Sequence, residues 1–217
     1  MDAPSERTSV RRHPERGVYD RRTVHAILDE SLFCHLGVVV EGSPRVTPTI
    51  HARLGDTLYV HGSTASRTLR AAEAGAEVCV VATILDGLVL SRSAFGHSMN
   101  YRSVMVYGVP REVVDPGEKW EAQRALVEHV VPGRSADARP PTEKELRQTT
   151  ILALSLEEAS AKVRTGPPID PEDEYALPIW AGEVPLRTTA EPPVPDPHLP
   201  DGVEPPGYAT DYRRRHD

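Results

Sequence analysis

Residues 59–70, YVHGSTASRTLR, begin with strand-like alternation and end with helical spacing. Between the two lie Gly62, Ser63, Thr64, Ala65, Ser66 and Arg67. A change of direction needs a glycine and a cap; this one carries three hydroxyls and a guanidinium. A helix N-terminus presents unpaired N–H groups and a partial positive charge. Hydroxyls and an arginine fork complete a cradle for a phosphate group. An ordinary serine or threonine cap, with Arg67 in solvent, accounts for the same residues.

The second polar group is FGHSMNYRSV, residues 95–104, where Phe95, His97, Ser98, Asn100, Tyr101, Arg102 and Ser103 crowd the entrance to an apolar strand. GxSxG is absent, so serine-hydrolase chemistry has no nucleophile elbow to work from. Lys162 and Arg164 alternate with Ala161 and Val163 and share one strand face, either solvent-facing or set to neutralise an anionic ligand. Glu157 and Glu158 read as a solvated bulge.

His51 and His61 flank a Gly55-Asp56 hairpin whose register pairs His51 with Val60 and Ile50 with His61. The two imidazoles then fall on opposite faces, so no shared metal is expected. HxH and HExxH spacings are absent. His61, at the end of its strand beside the phosphate-like turn, is the histidine best placed for chemistry; a locally bonded strand histidine fits it as well.

These groups must be held by the elements around them. YDRRTVHAILDESLF reads as a helix capped by Asp20, with Val24, Ile27, Leu28 and Leu32 on one face. FCHLGVVV and PRVTPTIHARL read as strands, the second joined to TLYVHG by a tight turn. RTLRAAEAG is a short helix ending at Gly75. EVCVVATIL and LVLSRS read as a hairpin turning at Asp86-Gly87, followed by the long strand YRSVMVYGVPREVV. Asp115, Pro116 and Glu118 cap the helix EKWEAQRALVEHVV, and Thr142 with Glu145 repeats that signature before a shorter helix. TTILALSLEEASAKVRTG reads as one further long strand. About six strands with helices between hairpins point to a small α+β barrel.

The chain has 217 residues, with 25 Lys and Arg against 32 Asp and Glu, a net charge of −7. That balance excludes a general nucleic-acid or membrane-surface binder. Cys34 and Cys79 sit in apolar runs without CxxC spacing, as expected of reduced core residues in a cytoplasmic protein. No apolar run is long enough to span a bilayer, and no signal-peptide core opens the chain. Residues 1–16 are arginine-rich and read as a flexible arm; residues 17–185 read as the folded domain. Residues 186–217 form a proline-rich tail, with eight prolines between positions 185 and 206.

The order of a hairpin, LYVHGSTASRTLR, VCVVATILDGLVLSRSAFGHSMNYRSVMVYG and a capped helix resembles the pyridoxamine 5′-phosphate oxidase-like proteins, the FMN-binding split barrels. Within them it is similar to the flavin-nucleotide-binding, nitroimidazole-resistance branch, over roughly residues 15 to 185. The resemblance implies a six-stranded antiparallel split β-barrel with peripheral helices, and a homodimer with FMN sites at the subunit interface. It implies that Ser63, Ser66 and Arg67 hold the FMN phosphate. Val46, Thr47, Pro48 and Thr49 would line the isoalloxazine through their backbone, with Asn100, Tyr101 and Ser103 reaching it from the later strand. Trp180 stands where an aromatic side chain can shield the ring. The pattern by which the oxidase itself recognises pyridoxal phosphate is missing, so that activity is not expected.

The function that follows is an FMN-dependent oxidoreductase acting on a small organic substrate, with His61, His97 and Tyr101 as candidates for proton delivery. Relatives also bind deazaflavin or haem. A haem protein with His97 or His61 on the iron is one alternative, and a non-catalytic flavin carrier or regulator is another.

Overall fold

The structure is a computed structural model that describes residues 2–213. Its elements, in chain order, begin with β1 (Gly17–Val18), α1 (Arg21–Glu30), β2 (Cys34–Val40), β3 (Ser43–Thr49), β4 (His51–Leu54), β5 (Thr57–Ser63) and α2 (Arg67–Glu73). Then come β6 (Val78–Leu90), β7 (Ser98–Gly108), β8 (Arg111–Glu112), α3 (Pro116–Val130), α4 (Arg134–Asp137) and α5 (Glu143–Arg147). The chain closes with β9 (Thr149–Ser155), β10 (Ala159–Arg164), β11 (Gly182–Pro185) and α6 (Gly207–Thr210).

All strand pairs are antiparallel and form two sheets. The larger has seven strands, in the order β1-β10-β7-β6-β2-β3 with β11 on β6; the smaller has four, β4-β5-β9-β8. The barrel is therefore not closed by hydrogen bonds, and it holds more strands than the six expected. The chain passes between the sheets four times: at Ile50 between β3 and β4, through α2 between β5 and β6, between β7 and β8, and between β9 and β10. Leu28, Leu36, Leu58, Val80, Val104, Val106 and Leu152 fill the core between the sheets.

Local chemistry explains the helix starts. Asp20 caps α1 by accepting the Thr23 N–H at 2.9 Å, and Asp115 caps α3 through the Glu118 N–H at 2.8 Å. Thr142 and Glu145 form a reciprocal capping box on α5. Val24, Ile27 and Leu28 are the buried face of α1.

Four expected elements are corrected. PRVTPTIHARL is two strands, β3 and β4, and YRSVMVYGVPREVV is divided between β7 and β8, in each case across the two sheets. Asp86-Gly87 is not a hairpin turn, because β7 pairs with β6 on both sides of it, with a register shift between Leu85 and Gly87. The pair is a bulge within one 13-residue strand. Asp86 turns its carboxylate to Arg102, at 2.7 Å. Gly87 gives room for β11, since a Cβ there would lie 3.0 Å from the Val184 carbonyl oxygen. The long strand expected over residues 149–166 is two strands, β9 and β10, in different sheets. The break falls at residues 156–158, where the Glu158 carbonyl accepts the Tyr107 N–H at 2.9 Å.

The first residues lie against the larger sheet. Arg7 bonds to Glu77 and Glu158, the Val10 N–H donates to the Tyr19 hydroxyl at 2.8 Å, and Lys162 donates to the Arg12 carbonyl at 3.1 Å. This places Arg12, His13 and Arg16 beside β7 and β10. Every residue from 183 to 205 is exposed, until Tyr208 and Tyr212 return the chain to α3 and α4. No helix among the described residues is long and apolar enough to cross a membrane.

Candidate functional site

The candidate residues fall into two groups that one chain does not bring together. The first is built on β3, the open edge of the larger sheet. Pro44 pairs with Val39 and Pro48 with His35. Proline has no N–H to give a ladder, so these positions face away from β2. By the two-residue period Val46 does the same. The outer edge of β3 therefore offers the Val46 N–H, flanked by the carbonyls of residues 44, 46 and 48. Val46 is 67% exposed. The prolines bar a further strand from docking along this edge, yet one donor between acceptors remains for a smaller partner.

The hydroxyl turn lies beside that edge. Thr47 Oγ1 is 3.3 Å from Thr68 Oγ1 on α2, and Thr49 donates to the His61 carbonyl at 3.3 Å. Ser66 is the α2 cap, accepting the Leu69 N–H at 3.4 Å. Ser63 accepts the Ala65 N–H at 3.2 Å and is otherwise exposed. Arg67 has only a loose 3.5 Å ion pair with Glu41 and is mostly in solvent. Ser63 and Arg67 are thus open to a ligand, while the Ser66 hydroxyl is engaged by the helix. Burial lowers the pKa of His61, so the ring is neutral at neutral pH, and its Nδ1 has no partner among the described residues.

The second group lies on β7 and β10, separated from β3 by β6 and β2. Tyr101 pairs with Arg164 and Ser103 with Lys162 in register. Asn100 is buried, donating to Glu183 of β11 at 2.5 Å and accepting from Arg164. Arg164 also donates to the Gly166 carbonyl at 3.0 Å and the Pro167 carbonyl at 3.2 Å. Burial, and then the neighbouring Arg16 cation, weakens its hold on its proton. Tyr101, Lys162 and Arg164 line a cavity of about 630 Å³ with Arg12, His13, Arg16 and His97. Trp180 is 68% exposed and stands over Gly182 at the start of β11, apart from the Ser63 turn.

His51 and His61 do not share a site: His51 is buried, paired with Val60, and donates to the Leu28 carbonyl at 2.9 Å. Cys34 is buried, which pushes its thiol up to about 12, and burial raises Cys79 as well. Neither thiol is a nucleophile at neutral pH. The residues missed in the sequence are Arg12, His13 and Arg16. Their only signal was an arginine-rich composition, which does not say where an arm will lie.

Two antiparallel sheets between which one chain passes four times, with helices at the periphery, make a split-barrel architecture. Residues 20–163 match the family model described as pyridoxamine 5′-phosphate oxidase. The chain belongs to that family. It is 43% identical to the flavocytochrome Anf3 from Azotobacter vinelandii, covering 98% of this chain and 99% of that one, with a TM-score of 0.93. The FAD and heme binding protein from Mycobacterium smegmatis is 35% identical over 89% of this chain and 95% of that one, with a TM-score of 0.85. A 5-nitroimidazole antibiotic resistance candidate from Bacteroides thetaiotaomicron shares the fold, at 22% identity, 68% and 86% coverage and a TM-score of 0.57. No curated protein sequence matches the chain.

Proposed function

We propose that this protein is a flavin-binding redox protein in which haem accompanies the flavin, and that it works as a homodimer. The flavin ring lies along the β3 edge, and its phosphate rests on Ser63 and Arg67. The observation that carries the flavin site is the Val46 amide, one donor between acceptors on an edge barred to strands, beside an open hydroxyl-arginine turn. A flavin pyrimidine edge can take the Val46 N–H on one ring carbonyl and give its ring N–H to an adjacent β3 carbonyl. The cradle meets the phosphate next to the ribityl chain, which FMN and FAD have in common. The two relatives of 43% and 35% identity, named as a flavocytochrome and as an FAD and heme binding protein, support haem as a companion of the flavin.

When bound, the two groups supply one- and two-electron chemistry; the chain's own residues bind, orient and shield. Val46 fixes the ring, Ser63 and Arg67 hold the phosphate, and neutral His61 is a proton acceptor at the edge of the site. The exposed apolar side chains Val39, Val46 and Ile50 on and beside β3 favour a second copy as the cover that excludes water. A small organic substrate would enter between the copies.

The test is the absorption spectrum, and the mass of released cofactor, for protein purified from cells supplied with a haem precursor. Flavin bands with a Soret band are expected, on a particle of twice the chain mass by light scattering. A colourless protein that takes up neither FMN nor FAD overturns the reading.

A further inference from the structure

We propose that the cavity between the N-terminal arm, β7 and β10 is the haem site, where His97 and His13 would hold the iron and the surrounding cations would pair with the propionates. This rests on the reading of the chain as a flavin and haem protein. Both histidines line the cavity, whose volume of about 630 Å³ falls in the usual range for cofactor pockets, roughly 300–1,000 Å³. His97 Nδ1 is 2.9 Å from the Ser93 carbonyl oxygen, and His13 Nδ1 is 3.1 Å from Glu15 Oε1. Neither acceptor carries a proton to give, so each imidazole donates from Nδ1. The Nε2 atoms have no hydrogen-bond partner among the described residues and are left for a ligand. A carbonyl or carboxylate behind the ring is the usual support for a metal-ligating histidine, fixing both tautomer and orientation.

The rest of the wall suits an amphipathic, dianionic disc. Phe95 is 99% exposed and Ile169 83% exposed at this cavity, apolar surface that no described residue covers. Arg12, Arg16, Lys162 and Arg164 line it, against the single carboxylate of Glu15. Arg164 is only 7% exposed, has no ion pair among the described residues, and its buried Nε has no hydrogen-bond partner there. The nearest carboxylate, Glu183, reaches Arg164 only through Asn100, and a buried cation without a direct ion pair favours a carboxylate-bearing ligand. Among the described residues no group of three or more His, Cys, Asp or Glu side chains is placed to hold a bare metal ion. Haem asks less of the protein, because the porphyrin supplies four of the iron's ligands.

The competing arrangement is one composite site, in which this face of one copy meets the flavin on β3 of another. Titrating the flavin-loaded protein with hemin separates the two. One hemin per chain is expected, with the low-spin spectrum of bis-histidine ligation. His97→Ala and His13→Ala should each convert it to a high-spin spectrum while flavin content stays unchanged. Lys162→Gln should weaken hemin roughly tenfold, the size of one lost charge-assisted contact, and leave flavin affinity alone. Both histidines are exposed, so circular dichroism of the variants should match the parent. The assignment is overturned if both histidine variants keep the parent haem spectrum, or if Lys162→Gln weakens flavin as much as hemin. Protein that binds flavin and no hemin overturns the assignment and leaves the flavin site standing. Protein that binds neither overturns both.

Discussion

The imidazole of His51 stacks on that of His129, ring centres 4.6 Å apart and planes tilted by 50°. Each ring donates from Nε2 to a backbone carbonyl near the end of α1, His51 to Leu28 and His129 to Ser31. The pair ties β4 and α3 to the end of α1. Burial, and then the neighbouring His129, lower the His51 pKa from 6.5 to about 4, with the Leu28 carbonyl and Asp29 opposing.

Stability should therefore fall as the pH drops below 6.5. Above pH 6.5 His51 is neutral in both states and has no effect. Below it the unfolded chain takes up a proton that the folded chain refuses, so stability drops until about pH 4 and then levels off. The full span corresponds to roughly 3 kcal/mol. His51→Gln keeps an N–H for the Leu28 carbonyl and cannot titrate. Its urea midpoint should change less between pH 7 and pH 4.5 than that of the parent; equal slopes would place the acid sensitivity elsewhere.

What was legible in the sequence was whatever depends on near neighbours. The caps at Asp20, Asp115 and Thr142 rest on contacts three residues apart, and all three form. The His51–Val60 register followed from a two-residue turn. Asp86-Gly87 misled because its local chemistry is that of a turn, whereas the reason for it is distant. Arg102 of β7 bonds to Asp86 and to Glu30 of α1, and β11 arrives from residue 182 onward to lie against Gly87. Likewise His97 has no companion within its own stretch of chain, because His13 reaches the same cavity only once residues 5–12 have been laid along the sheet. Long-range docking of short segments has no periodicity, so no pattern announces it.

Cutting the chain after Arg187 should leave the fold cooperative. The cut removes the bonds of Tyr208 to Asp137 at 2.7 Å and to Arg134 at 2.8 Å, and that of Tyr212 to the Val130 carbonyl at 2.8 Å. These three hydrogen bonds, counted among the described residues, amount to roughly 1.5–4.5 kcal/mol, or about 3–18 °C in melting temperature for a chain of this size. Cutting after Trp180 also removes β11 and strips Asn100 of its Glu183 acceptor. That second truncation should melt well below the first. Equal melting points would show that β11 contributes nothing to the sheet.

Arg67→Ala should weaken FMN far more than riboflavin. The guanidinium has one loose partner, Glu41 at 3.5 Å, so its removal leaves no buried charge behind. A charge-assisted hydrogen bond contributes roughly 1.5–3 kcal/mol, which is about ten- to a hundredfold in affinity. Ser63→Ala should act the same way more mildly. Ser66→Ala should instead lower the stability of α2 by about 1 kcal/mol, as loss of a cap does. Equal losses for FMN and riboflavin would show that Arg67 does not address the phosphate.

Val46→Pro reads out the ring contact apart from the phosphate. The substitution deletes one N–H and keeps the β3 carbonyls. Pro44 and Pro48 already show that this strand accepts proline at the same parity, facing away from β2. The β2–β3 ladder should survive, with a melting temperature within a few degrees of the parent. The ring loses its one backbone donor and leaves an unpaired acceptor at the edge, a cost of roughly 1–3 kcal/mol. FMN and riboflavin share the ring, so both should weaken together, by about five- to a hundredfold. That pattern is the opposite of the one expected from Arg67→Ala, and the two variants in the same titrations separate ring from phosphate. If Val46→Pro folds normally and binds both ligands at parent affinity, the flavin does not lie along β3, and the open edge exists only to keep other strands away.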